Sequence, residues 1–183
     1  MNSKIVAIVG MTGSGKTETA KLFADRDFVR IRFGDITDKE VEKRGLELNE
    51  ENERLVRELL RKEQGNDAYA KLNLTLIDTA AAKSDVVIDG LYSWEEYKFL
   101  KAHYGDNFVV VAVFASPKTR YTRLSARKER GLNHGDAAGR DKAEIENINK
   151  GGPIAMADYA IINESFLNDL EKEVIKIVLW LRE

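Results

Sequence analysis

The eight residues Gly10, Met11, Thr12, Gly13, Ser14, Gly15, Lys16 and Thr17 follow an apolar run and open a helix-compatible segment. They match G-x-x-x-x-G-K-[ST] without a mismatch. Glycines in such a loop let backbone N–H groups turn inward around an anion, and the helix that follows adds its positive end. Lys16 is placed to reach the β- and γ-phosphates, and Thr17 to hold a metal ion. The pattern predicts that Gly10, Thr12, Gly13, Ser14, Gly15, Lys16 and Thr17 bind a nucleoside triphosphate, ATP with Mg²⁺. It also requires a strand before it and a helix after it.

The rest of the chain supplies that frame. Ile5–Val9, Val29–Phe33, Val86–Ile88 and Phe108–Phe114 are short runs rich in β-branched residues, and Tyr159–Ile162 is a weaker fifth. The first and fourth are apolar on both faces, as expected of a central parallel sheet covered by helices. Helical patterns separate them. Thr17–Asp25 follows the loop. Asn49–Gln64 carries Leu55, Leu59 and Leu60 as an apolar stripe, and Asp67–Ala82 carries Leu72, Leu76 and Ala80. Ser93–His103 begins with a capping box, Ser93 and Glu96. Thr119–Arg130 is dense in cations, and Phe166–Arg182 places Phe166, Leu170, Val174, Ile177 and Leu181 on one side. Alternating strands and helices predict an open α/β sheet with right-handed crossovers in one domain, residues 1–183. Gly131–Gly139 has no apolar pattern and reads as a flap, as does the region around Gly151, Gly152 and Pro153.

Composition narrows the chemistry. The chain of 183 residues has no cysteine, which removes disulfides, thiolate metal sites and thiol nucleophiles. Its formal charge of −2 gives no sign of a nucleic-acid partner. The apolar stretch at the N-terminus is too short for a signal peptide or a membrane span, so the expected location is cytoplasmic.

Four further groups bear on function. Asp89 ends the third run and is the expected second ligand for the metal, although an Asp-Gly pair is also an ordinary turn. Asp85, at the start of that run, reads as a turn residue. Asp35 lies at the carboxyl edge of the second strand, where it could take a proton from an acceptor hydroxyl or cap a helix over Ile36–Arg44. Arg120, Arg123, Arg127 and Arg130 recur at i, i+3, i+7 and i+10. That spacing describes either a solvated helix face or, for Arg123 and Arg127, a clamp on the transferring phosphoryl group; Arg140 is a weaker candidate for the same role. His103 and His134 stand alone as surface residues. Trp94, Trp180 and the tyrosines read as packing, Tyr92 being the candidate exception.

Together with Gly34, Asp35, Asp89, Gly90, Arg120, Arg123, Leu124 and Arg127, the loop and the segment Ala157–Asn163 resemble the nucleoside monophosphate kinase-like P-loop proteins. Within them, the similarity is to the archaeal-type adenylate-kinase-related and dephospho-CoA-kinase-like group. The resemblance implies a three-layer P-loop NTPase fold with a five-stranded parallel sheet. It also implies a helical acceptor-binding insert at about residues 35–83 and a short lid at about 128–142. Implied catalytic residues are Lys16, Asp35, Arg123 and Arg127, with Arg123 also against the nucleotide and Thr17 and Asp89 on the metal. The pattern departs from adenylate kinases at two positions, where arginines that grip the acceptor phosphate are replaced by Asp38 and Tyr92. A carboxylate there repels a phosphate, and a phenol cannot form the bidentate charged contact. Arg32, Arg44 or Arg57 could substitute for them.

These readings predict an ATP-dependent kinase for a nucleotide-like small molecule, with a dephospho-CoA-type hydroxyl acceptor favoured over a nucleoside monophosphate. The alternative is a regulatory nucleotide-binding ATPase that docks partners on the charged helix face of Glu40–Arg61. No nucleic acid or membrane is expected as a partner, and the chain is expected to be a monomer or homodimer.

Overall fold

A computed structural model describes residues 3–128 and 131–183. Five strands, β1 (Ile5–Val9), β2 (Val29–Arg32), β3 (Val86–Asp89), β4 (Phe108–Phe114) and β5 (Tyr159–Ile162), form one parallel sheet in the order β2-β3-β1-β4-β5. Every residue of β1 is buried, because the strand is central and covered on both faces. Its side chains alternate between two cores. Ile5, Ala7 and Val9 join Phe33, Tyr69, Ile77 and Leu100 on one side, while Val6 and Ile8 join Phe23, Leu170, Val174 and Ile177 on the other.

The helices of the first side are α2 (Asp35–Lys43), α3 (Glu50–Gln64), α4 (Ala68–Ala81) and α5 (Trp94–Tyr104). Those of the second are α1 (Lys16–Ala24) and, at the end of the chain, α9 (Leu167–Trp180). Between β4 and β5 lie α6 (Pro117–Ser125), α7 (His134–Ile148) and the single turn α8 (Gly151–Ala155). Because all strands run the same way, the carboxyl ends of β1, β2 and β3 open on one edge, where α/β proteins gather ligands.

Several expectations are corrected. Gly131–Gly139 is not wholly a loop: α7 begins at His134, with the Asn133 side chain accepting from the Asp136 N–H at 2.9 Å. Gly151–Pro153 is likewise helical. The cationic helix ends at Ser125, so Arg127 does not continue the face of Arg120 and Arg123; Arg130 lies outside the described residues. The apolar stripes of the insert are shifted. Val56 and Leu60 are buried in α3 while Leu55 is exposed. In α4, Tyr69, Ala70, Asn73 and Ile77 face inward while Leu72 and Leu76 face out. Asp35 is the first residue of α2, not its cap; Gly34 precedes it with no side-chain cap bond. Phe166 is exposed before α9 rather than part of its packed side.

Candidate active site

The phosphate loop leaves β1 at Gly10 and enters α1 at Lys16. Gly10, Gly13 and Gly15 all have positive φ, a region that residues with a Cβ rarely adopt. At Gly10 an added Cβ would overlap the Val113 carbonyl, and at Gly15 it would overlap the Asn163 side chain. Asn163 follows β5, and its Nδ2 donates to the Ser14 carbonyl at 2.8 Å. The loop is therefore clamped from the far side of the sheet. Asp158, in the same segment, accepts from the Val110 N–H at 2.8 Å and ties the entry of β5 to β4.

Thr17 and Asp89 meet at the mouth of the loop, Thr17 Oγ1 donating to Asp89 Oδ1 at 3.3 Å. The second Asp89 oxygen accepts from Arg30, whose Nε stands at 3.1 Å and whose Nη2 is closer still. The β2–β3 register places Arg32 beside Asp89. Two hard oxygen donors beside a phosphate cradle fit Mg²⁺, which takes its remaining ligands from phosphate oxygens and water. Lys16 Nζ donates to the Met11 carbonyl at 3.0 Å. Burial, with Lys150 nearby, lowers its pKa to about 7.

A polar network backs the loop. Glu144 of α7 accepts from Lys150 at 2.6 Å, from Arg140 at 3.2 Å and from Thr12 Oγ1 at 3.2 Å. Burial alone would raise the Glu144 pKa, but Lys150, Arg140 and Lys16 outweigh it and hold the carboxyl well below its usual range. Arg140 also reaches across to Glu50 at the start of α3, 3.1 Å away, and Glu50 in turn accepts from Arg57 at 2.7 Å. Arg120 is buried and bidentate on Asp141, at 2.9 and 2.6 Å, and donates to the Thr12 carbonyl at 3.0 Å.

A cleft of about 1090 Å³ runs from the phosphate loop to α3 and α7. Thr12, Gly13, Gly15, Lys16, Thr17, Asp89 and Arg127 line it, so most of the sequence-predicted set shares one chamber. Burial and the nearby Arg140 lower the Arg127 pKa. Arg123 points elsewhere and donates to the Asn163 carbonyl at 3.0 Å. On the acceptor side, Arg32 Nη1 bridges Asp35 and Asp38, 2.7 Å from each. Asp38 lines the main cleft, whereas Asp35 lines a smaller adjoining pocket of about 410 Å³. Tyr92 also lines the cleft, and burial with Asp89 nearby pushes its hydroxyl up to about 12.

Sequence reasoning missed Arg30, Arg61, Glu144 and Lys150. Arg30 and Arg32 at alternate positions of a strand were a readable sign of a shared charged face. Nothing in the local pattern distinguished Glu144 or Lys150.

A family model described as an AAA domain, AAA_18, matches residues 6–149. A UPF0200 protein of Thermococcus kodakarensis is 40% identical over 178 residues, covering 95% of this chain and 96% of that protein. The chain belongs to the UPF0200 family. A second UPF0200 protein, from Methanococcus maripaludis strain C6, is 36% identical over 182 residues, covering 96% of this chain and 98% of its own length. Among solved structures, a shikimate kinase from Bacteroides thetaiotaomicron matches with a TM-score of 0.63 at 16% identity, over 98% of this chain and 99% of its own. A dephospho-CoA kinase from Campylobacter jejuni matches with a TM-score of 0.56 at 13% identity, over 98% and 97%. At such identities the likeness is one of fold: the parallel sheet and phosphate loop are arranged as in these P-loop kinases. Among the described residues, no helix is long and apolar enough to cross a membrane.

Proposed function

We propose that the chain is an ATP-dependent kinase that transfers the γ-phosphoryl group to the hydroxyl of a nucleotide-like small molecule, of the dephospho-CoA type. The observation that carries this reading is the single cleft joining the phosphate loop and Arg127 to the helical insert, with Asp38 and Arg32 on its acceptor wall. A hydrolytic switch has no need of a cleft that extends so far beyond its phosphate loop.

In this mechanism Gly10, Thr12, Gly13, Ser14 and Gly15 cradle the ATP phosphates through the loop. Thr17 and Asp89 would hold Mg²⁺, which neutralises charge on the phosphates during transfer. The acceptor oxygen forms a bond to the γ-phosphorus as the bond from that phosphorus to the ADP oxygen breaks. The hydroxyl proton passes to the Asp35–Asp38 pair; sequence assigned it to Asp35, and Asp38 is the member facing the chamber. Lys16 and Arg127 stabilise charge spreading over the equatorial oxygens. Arg123 acts on the donor side by holding the Asn163 carbonyl, which braces the loop through the Asn163 side chain.

ADP release measured with Mg-ATP and a panel of dephospho-CoA, shikimate, gluconate and nucleoside monophosphates tests this. Stimulation by a hydroxyl acceptor, with kcat reduced about 10²–10⁴-fold in Asp38→Asn and less in Asp35→Asn, is the expected result. Efficient turnover of monophosphates alone would defeat the hydroxyl assignment. Absence of stimulation by every acceptor would defeat the kinase reading.

A further inference from the structure

The arginines around the cleft are mostly neutralised by carboxylates. Arg32 is held by Asp35 and Asp38, Arg54 by Glu58 at 2.9 Å, Arg57 by Glu50 and Glu53, and Arg140 by Glu50 and Glu144. Two cleft arginines differ: Arg127, assigned above to the transferring phosphoryl group, and Arg61, one turn beyond Arg57 on α3. Arg61 lines the same cleft, yet it makes no hydrogen bond or ion pair with any described residue, and its Nε is buried without an acceptor.

What holds Arg61 is a pair of phenol rings. Its Cζ lies 5.0 Å from the centre of Tyr69 and 6.0 Å from that of Tyr92. Tyr69 is fixed in turn, its hydroxyl 2.7 Å from the Thr37 Oγ1 in a buried contact. Lys150 Nζ stands 5.1 Å from the Tyr92 ring centre, so Tyr92 carries two cations. Ring faces attract a cation but offer it no hydrogen-bond acceptor, and a guanidinium has five donors. An exposed arginine can turn its remaining donors to water, as Arg54 can beyond its Nε bond to Glu58, with a side chain 68% exposed. Arg61 is instead partly buried, packed against two rings and part of the wall of a ligand-sized chamber.

We propose that Arg61 binds an oxyanion of the phosphoryl acceptor, a phosphate ester (the diphosphate of a dephospho-CoA-type molecule included) or a carboxylate, so that the acceptor carries a fixed negative charge besides its reacting hydroxyl. This rests on the kinase reading above. It also alters the meaning of Tyr92. The phenol at that position does not itself grip an anion; its ring orients a guanidinium supplied by α3, which serves the same chamber from another element. A planar fork of donors suits an oxyanion, which provides both the missing charge and the missing acceptors.

The test uses the full chain saturated with Mg²⁺ and a non-hydrolysable ATP analogue, as wild type, Arg61→Ala, Arg61→Lys and Arg54→Ala. Inorganic phosphate or malonate is added at matched ionic strength, and the thermal midpoint is read. Phosphate, malonate or both should raise the midpoint of the wild type and of Arg54→Ala by a few degrees. Arg61→Ala should lose that increment and Arg61→Lys recover part of it. A response to phosphate alone assigns a phosphate ester, and one to malonate alone a carboxylate. Equal increments in wild type and Arg61→Ala, or none in either, overturn the proposal. In ADP-release assays with the anionic acceptor that turns over, Arg61→Ala should raise acceptor KM about tenfold or more while leaving kcat and the KM for ATP nearly unchanged. A loss confined to kcat also overturns it. If the anion increment follows Arg61 but no acceptor stimulates ADP release, the anion site stands and the kinase reading falls.

Discussion

Replacing Glu96 with glutamine removes one proton-binding group from the fold while keeping its capping geometry. Glu96 is fully buried at the start of α5. Its Oε2 accepts the Tyr92 and Ser93 N–H groups at 2.8 and 3.2 Å, and Ser93 Oγ accepts the Glu96 N–H at 2.9 Å. Oε1 has no partner. Burial raises the carboxyl pKa from 4.5 to about 7, against the opposing pull of Arg61, the two backbone donors and Lys150. Folded, the group keeps its proton up to about pH 7; unfolded, it loses it near 4.5. Its contribution is therefore fully present below the unfolded pKa and lost as pH rises through the folded one. At 1.36 kcal/mol per pH unit, that interval corresponds to a loss of about 3 kcal/mol. Glutamine keeps an oxygen for the two N–H groups and does not titrate. Urea unfolding of both proteins from pH 4 to 8 should show the Glu96→Gln minus wild-type difference rising by about 3 kcal/mol across that range. Parallel stability curves would refute the reasoning, because they would mean that the buried carboxyl has the same proton affinity folded and unfolded.

Asn163→Leu leaves the buried Ser14 carbonyl without its donor, and should cost about 1–3 kcal/mol in urea unfolding while raising the KM for ATP. Asp141→Leu strands the buried Arg120 guanidinium, with an expected loss of about 3–5 kcal/mol by the same measurement. Because burial brings the Lys16 pKa down to about 7, the ammonium that attracts phosphate is lost as pH rises past that value. Calorimetric affinity for an ATP analogue should weaken between pH 7 and 9 in the wild type, and Lys16→Arg should flatten that dependence.

The phosphate loop and the sheet were legible because their constraints are local. Three glycines with positive φ and β-branched runs each announce themselves within a few residues. The helix after Gly131 was not legible, and α7 shows why. It buries only Ala137, Asp141 and Ile148, and docks through Asp141 on Arg120, Glu144 on Lys150 and Thr12, and Arg140 on Glu50. A helix attached by charged pairs carries no apolar period, and its glycines then read as loop. The arginine stripe failed for a related reason: spacing of three and seven implies a shared face only while the helix lasts, and α6 stops before Arg127. Arg61 was invisible because what singles it out is that no carboxylate among the described residues forms an ion pair with it, which only three dimensions reveal.

The Arg140–Glu50 pair joins α7 to α3 across the chamber. It acts as a hasp: the two helices that wall the cleft are fastened to each other by an ion pair about a quarter exposed on each side. Such a fastening weakens with salt, whereas the apolar cores beneath it do not. The attachment of α7 to α3 and the stability of the sheet are thus governed by different forces. Added salt should loosen α7 from α3 well before it loosens the sheet.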